Sequence, residues 1–256
     1  MRSSRVVLGT RRGRMRHAAI GLLVLGVFAA GAAAATATDQ LAQAGGLSYK
    51  VVGKWGGVGK APGKFGGSAL GLATDQAGNV YVADSNANRI QSFSAKGAFK
   101  KVFTFTDAGT VPDVAVGPDG GVWGTTQVNT LVYRFPAGSG TPLTTPKSAD
   151  GIAVDADGNV YVATSGDAIH EVVRFTRTPT GWDPPQTWGR GLQAPGDVEV
   201  SPDGTIYVAD TRGAPPNVKR FDVSGKLLKT IKLPQPATAG AGALYGIGVD
   251  PDCNLW

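Results

Sequence analysis

From residue 49 onward the chain alternates apolar and polar residues over short stretches, and glycine, aspartate and asparagine separate these stretches. Period-two alternation over four to eight residues marks half-buried strands. No long window carries an apolar stripe at helical spacing. Four segments line up, at 71–84, 113–123, 151–163 and 197–210, and a fifth runs from Gly246 to the last residue, Trp256. Each begins with a short alternating strand and a tight turn in which Gly sits beside Asp or Asn, where positive φ is needed. A second strand rich in Val, Ile and aromatics follows. After a polar loop comes a third strand, Ile90-Gln91-Ser92-Phe93 in the first unit, then Val132-Tyr133-Arg134-Phe135, Val172-Val173-Arg174-Phe175 and Val218-Lys219-Arg220-Phe221. Outer strands are expected over 98–104 and 226–231. The turn positions Gly78, Gly120, Gly158, Gly204 and Cys253 are spaced by 42, 38, 46 and 49 residues. A period in the forties with several strands per unit predicts an all-β chain, a β-propeller of four-stranded antiparallel blades. Neighbouring blades must cover one another, because a single sheet cannot bury both of its faces.

The run Gly78-Asn79-Val80-Tyr81-Val82-Ala83-Asp84-Ser85-Asn86-Ala87-Asn88-Arg89-Ile90-Gln91 resembles an NHL repeat. The resemblance is close in the first unit and good in the third and fourth. It is degenerate in the second, where Gly124-Thr125-Thr126 replaces the usual Val/Ala-Asp step, and it extends over 49–256. It implies a six-bladed ring closed by strands from the two chain ends, with Tyr49 to Trp55 as an outer strand donated to the last blade. Four complete units and the inner edge of a fifth then imply a fragment truncated in its fifth repeat, short of the ring by on the order of 70 residues. Such scaffolds host enzymes, sensors and adaptors alike, so the resemblance speaks to fold more than to function.

Composition agrees: 38 glycines and 17% charged residues suit many short strands and tight turns. The net charge of +6 would suggest a nucleic-acid partner, but it belongs to the leader. Arg2, Arg5, Arg11, Arg12, Arg14 and Arg16 precede the first acidic residue, Asp39, and the remaining 19 basic residues balance 19 acidic ones. A neutral body argues against nucleic acid. The arginine-rich start, the apolar run 18–30 and Ala35-Thr36-Ala37 form a signal peptide over 1–37, with cleavage expected after Ala37. The alternative is an uncleaved membrane anchor, since 18–35 is almost long enough to span a bilayer. A linker at 38–48 and the propeller at 49–256 complete the domain plan, and the product is expected to be secreted or held in the extracytoplasmic cell envelope. Cys253, the lone cysteine, pairs with a partner elsewhere or is a buried thiol.

Catalytic chemistry is sparse. Of two histidines, His17 lies in the leader and His170 in a loop, whereas a histidine-based zinc site needs about three ligands. Ser139 has no nucleophile-elbow context, and the glycine-rich stretch 53–67 has no following helix to cradle a phosphate. Resemblance to gluconolactonase-like propellers, through Ala149-Asp150-Gly151-Ile152-Ala153-Val154-Asp155, makes Asp150 a candidate ligand for Ca2+ or another divalent cation in the central channel. Asp113 and Asp197 lie nearby and Glu199 follows, the alternative being aspartates that bond backbone N–H groups. Binding is expected on the loops 85–88, 125–130, 165–171 and 211–217, with Asn86, Asn88, Gln127, Asn129, Asp167, His170, Arg212 and Asn217 as candidates. Trp182 and Trp188 join them from an insert at 179–193 that departs from the repeat, while Trp123 is expected between blades. The leading expectation is a non-catalytic, cofactor-free module binding a protein, small molecule or glycan on the loop face, with membrane contact only through an uncleaved leader. The alternative is a divalent-metal-dependent lactonase or lyase-like enzyme.

Overall fold

A computed structural model describes residues 53–106, 109–135, 142–166, 170–189, 191–212, 215–233, 244 and 246–256. The leader 1–37, the linker 38–48, residues 49–52 of the expected first outer strand, and candidate Asp167 lie outside these residues. No helix among the described residues is long and apolar enough to cross a membrane.

Four antiparallel four-stranded sheets follow one another along the chain, each in sequential strand order. The first blade is β1 (Ala69–Thr74), β2 (Val80–Asp84), β3 (Arg89–Phe93) and β4 (Phe99–Thr104); the second is β5 (Val114–Val116), β6 (Val122–Thr125), β7 (Leu131–Phe135) and β8 (Leu143–Thr144). The third contains β9 (Ser148–Val154), β10 (Val160–Ser165) and β11 (Glu171–Phe175). It then departs into a two-stranded hairpin, β12 (Arg177–Thr178) and β13 (Gly181–Trp182), before its outer strand β14 (Gln186–Trp188). The fourth is β15 (Pro195–Val200), β16 (Ile206–Asp210), β17 (Asn217–Phe221) and β18 (Leu227–Lys232). In the fifth repeat a single bridge joins Val249 and Leu255. The chain is a β-propeller, with β1, β5, β9 and β15 side by side as inner strands.

The turns explain the repeated Asp-x-x-Gly-Asn. Asp75 accepts N–H bonds from Ala77 and Asn79 on one oxygen, and Asn79 Nδ2 and Tyr81 Oη donate to the other. Asp155 and Asp250 repeat the arrangement with Asn159 and Tyr161, and with Asn254 and Trp256. Burial and the Asp75 charge push the Tyr81 phenol up to about 12, and Tyr161 rises likewise beside Asp155.

Between blades lie three apolar clusters. One joins Ile90 and Ala83 of the first blade to Val114, Val122 and Phe135 of the second through Phe105. Another joins Trp123 and Val132 to Ile152, Val162 and Phe175, and the third joins Tyr161 and Val172 to Val198, Ile206 and Phe221. The four third-strand phenylalanines, Phe93, Phe135, Phe175 and Phe221, are all buried. The departure of the second repeat has a packing cause. At Gly124 a side chain would begin 2.6 Å from Phe105 Cζ, so Phe105 fills the space that Val82, Val162 and Val208 fill elsewhere.

The tryptophans correct the sequence reading of the 179–193 insert. Trp188 belongs to the outer strand β14 and packs on Phe221 of the next blade at 4.9 Å. Only β12 and β13 depart from the repeat; Trp182 there stands edge-on to Trp123 at 5.7 Å, beneath Arg177. Trp55 packs on Phe93 at 4.4 Å as Trp188 packs on Phe221, although Gly53 to Trp55 form no regular strand.

Candidate functional site

At the end of the propeller where the loops 85–88 and 125–130 emerge, the inner strands β1, β9 and β15 each carry a register shift. A bulge leaves a residue out of the ladder and re-aims its side chain. In β9 the irregular residues are Asp150 and Gly151, and Asp150 turns toward its neighbours. Gln127 Nε2 donates to Asp150 Oδ1 at 2.6 Å, Ser165 Oγ donates to Oδ2, and Thr125 Oγ1 donates to the Asp150 carbonyl at 3.0 Å. Thr110 Oγ1 extends the chain to Gln127 Oε1 at 2.7 Å. Two sequence candidates, Gln127 and Asp150, are thus brought together across two blades. Burial raises the Asp150 carboxyl above its ordinary range, against the lowering effect of the two side-chain donors.

Asp113 and Asp197 are used differently. Asp113 Oδ1 accepts its neighbour Val114 N–H at 2.8 Å, and Oδ2 reaches the next blade to accept Ile152 N–H at 2.9 Å. Asp197 does the same with Val198 N–H and, in the fifth repeat, Ile247 N–H, both at 2.8 Å. The corresponding inner-strand positions read Gly71, Asp113, Gly151, Asp197 and Gly246, a strict alternation. Each aspartate needs a glycine beside it: a side chain on Gly151 would begin 2.5 Å from Asp197 Cα. These carboxylates are latches between blades, bonding backbone N–H groups across an interface instead of within a turn.

Their electrostatics are strained all the same. Burial, then the Asp197 charge, raises Asp113; burial raises Asp197 to about 7; and burial, then Asp197 and Asp113, raises Glu199. Among the described residues no three His, Cys, Asp or Glu side chains lie close enough together to hold a metal ion. Asp113, Asp150 and Asp197, the sequence candidates for a divalent cation, are therefore not brought together as one ligand set.

The remaining candidates spread over the loop face. Asn86 Nδ2 donates to Ser68 Oγ at 3.2 Å, and Asn88 closes a short 3-10 turn in the left-handed region. Asn129 and Arg212 are exposed, and His170 is half-buried just before β11. Asn217 Nδ2 donates to the Pro215 carbonyl, while its backbone pairs with Asp210. Trp182 and Trp188 lie at interblade packing positions away from the channel mouth.

One group escaped the sequence reading. Arg89 Nε pairs with buried Asp84 Oδ2 at 2.8 Å, and the guanidinium also donates to the carbonyls of Lys60 and Lys64. Gln91 Nε2 donates to the Lys64 carbonyl and its Oε1 accepts Gly63 N–H, while Asp84 Oδ1 accepts Gly66 N–H. The glycine-rich loop 56–67 is thereby fixed to the first blade. The signal was available in Asp84-x-x-x-x-Arg89-x-Gln91, whose polar residues fall on strands that otherwise bury their side chains.

Comparison with known proteins agrees on the fold. Residues 67–93 match the NHL repeat family. Among solved structures, a streptogramin B lyase is similar at 20% identity and a TM-score of 0.58, over 73% of this chain and 61% of that one. Virginiamycin B lyase from Staphylococcus aureus is similar at 19% identity and 0.57, over 73% and 62%. Hydrazine synthase from Kuenenia stuttgartiensis is similar at 16% identity and 0.55, over 64% and 48%. The chain spans about half to three fifths of the length of these structures. Comparison with curated protein sequences finds no match.

Proposed function

We propose that the protein is a non-catalytic, extracytoplasmic binding module that takes a protein, small-molecule or glycan ligand on its loop face, around the channel mouth formed by Asp150 and Gln127. The observation that carries this reading is the use of the channel aspartates. All four oxygens of Asp113 and Asp197 accept backbone N–H groups, so binding a cation there would trade blade-to-blade hydrogen bonds for metal bonds. The polar group turned to the mouth is Asp150, held by neutral donors and suited to orienting a ligand. The arginine-rich leader supports export, and the propeller is proposed to complete six blades.

The competing reading is a divalent-metal-dependent lactonase or lyase-like enzyme. It draws on the acid-rich channel and on the fold shared with lyases. Thermal melting with and without millimolar Ca2+, Mg2+ or Zn2+, alongside a lactone-hydrolysis assay, separates the two. The binding-module reading expects no cation-dependent rise in Tm and no hydrolysis. A rise that disappears in Asp150→Asn, or metal-dependent turnover, would overturn it. Sequencing the N-terminus of the exported product tests the leader, with a start near Thr38 expected.

A further inference from the structure

One interface between blades lacks the packing that the others share. Elsewhere an aromatic side chain from the preceding outer segment covers the third-strand phenylalanine of the next blade: Trp55 lies 4.4 Å from Phe93, Phe103 5.6 Å from Phe135 and Trp188 4.9 Å from Phe221. Phe103 stands opposite Ile90 and Trp188 opposite Val172, and the equivalent residue of the second blade, opposite Val132, is Leu143. Phe175 of the third blade accordingly has no aromatic partner among the described residues. The β12–β13 hairpin walls the gap, leaving a cleft of about 600 Å3 lined among others by Trp123, Leu143, Phe175, Trp182, Arg134 and Arg177. It lies at the end of the propeller opposite the loops 125–130 and 165–171, since β7 and β11 run from those loops to Phe135 and Phe175. A mostly apolar cavity of roughly 300–1,000 Å3 with a few placed polar groups suits a small molecule.

The placed groups here are two guanidiniums. Arg134 lies over Trp123 and Arg177 over Trp182, at 5.7 and 5.9 Å, and Asp119 Oδ2 accepts Arg134 Nη2 at 2.8 Å and Arg177 Nη1 at 3.2 Å. Nε and Nη2 of Arg177 donate to no group among the described residues. Such an edge can take a carboxylate through two parallel N–H bonds. We propose that this cleft binds a small-molecule carboxylate with a flat aromatic body, its ring among Trp123, Phe175 and Trp182 and its carboxylate on Arg177. A neutral aromatic would leave the Arg177 donors unused, and an ammonium would meet two like charges. The one acidic side chain on the lining, Asp183, is exposed and in no ion pair among the described residues, and the segment 136–141 joining β7 to β8 carries no charge. The cleft is separate from the channel mouth, so this site stands whether or not that mouth takes a ligand.

Isothermal titration calorimetry of the full chain with indole-3-propionate, L-tryptophan and tryptamine tests this. The three share an indole and carry a carboxylate, both charges and an ammonium, respectively. Indole-3-propionate should bind most tightly and tryptamine least. Arg177→Gln should lower the affinity for indole-3-propionate about tenfold or more, and Asp183→Asn should raise it by a smaller factor. Both side chains are exposed, so Tm should hold in each variant. Leu143→Trp puts into the cleft the aromatic side chain that Trp188 supplies at the next interface, and it should abolish binding. If Leu143→Trp fails to fold, Arg177→Gln alone decides. No binding of indole-3-propionate would overturn the proposal, as would tryptophan or tryptamine binding at least as tightly. Affinity unchanged in Arg177→Gln, or in a folded Leu143→Trp, would overturn it too, and weaker binding in Asp183→Asn would show that a positive group is recognised instead.

Discussion

The first and fourth blades differ from the second and third at one position, the last residue of the second strand or its equivalent. Asp84 and Asp210 stand there in the first pair, Thr126 and Thr164 in the second. The aspartates are fully buried, and each pairs with a cation from the third strand, Arg89 at 2.8 Å and Lys219 at 2.6 Å. Each also reaches back to the loop that leads into its own blade: Asp84 accepts Gly66 N–H, and Asp210 accepts Gln193 and Ala194 N–H. The threonines stay within their own blades, donating to the carbonyl of the residue that opens the third strand, Leu131 or Glu171. An aspartate therefore ties one blade to the loop before it, while a threonine closes only its own loop.

Removing the aspartate is the harshest test of this contrast. Asp84→Ala leaves Arg89 without its carboxylate and the Gly66 N–H without an acceptor; breaking a buried pair from one side costs about 3–5 kcal/mol. Urea unfolding should show that loss, and protease cleavage within 56–67 should accelerate. Asp210→Ala should behave similarly around 189–194. If Asp84→Ala destabilised no more than a threonine replacement, the distinction between the two kinds of blade would fail.

Much of this was legible in the sequence, and particular residues show where legibility stopped. Turn glycines and third-strand phenylalanines are local, repeating signals, and they fixed the blades, with β3 and β17 found within a residue. Asp150 stood out in the sequence as a candidate cation ligand, but its hydrogen-bond partners Gln127 and Ser165 come from different loops, and only the register of β9 aligns them. The aspartates Asp113 and Asp197 carried the right suspicion of backbone bonding with the wrong donor, because Ile152 and Ile247 are about 40–50 residues away along the chain. Trp188 looked like part of an insert because the β12–β13 hairpin displaced its strand from the expected spacing.

A second alternation cuts across the first, with latch aspartates in the second and fourth blades and glycines in the first, third and fifth repeats. Gly151→Ala forces a methyl group against Asp197 Cα, and overpacking of this kind costs about 1–3 kcal/mol. The same change at exposed Gly53, which has open space around it, should be nearly neutral. Equal loss at both sites, measured by Tm, would show that the latch is not tightly packed.

The latches also set a pH dependence. Asp113, Asp197 and Glu199 have folded-state pKa values raised by burial, so their protonated forms favour the fold. Their contribution is fully present below the unfolded carboxylate value of about 3.9 and is lost as pH rises toward the Asp197 value of about 7. Turn aspartates act in the opposite sense. Asp75, Asp119 and Asp203 are lowered by hydrogen bonds and, at Asp119 and Asp203, by arginine, and their contribution is lost in acid. Tm should therefore fall by a few degrees from mildly acidic to neutral pH, and Asp197→Asn should flatten that slope. A slope unchanged in Asp197→Asn would assign the effect to other groups.

The smallest effect belongs to the threonines, and it sharpens the contrast most. Thr164→Val keeps the shape and removes one hydroxyl donor to the Glu171 carbonyl, a loss of about 1 kcal/mol. Thr164→Asp should do worse than valine, although it restores the residue found in the first and fourth blades. The third-strand positions that carry Arg89 and Lys219 there are Glu171 and Val173 here, so the new carboxylate would be buried without a cation. If Thr164→Asp proved as stable as the parent chain, the cation would be dispensable and the carboxylate alone would define an anchoring blade. A loss beyond that of valine would show that aspartate and its third-strand cation act as one unit.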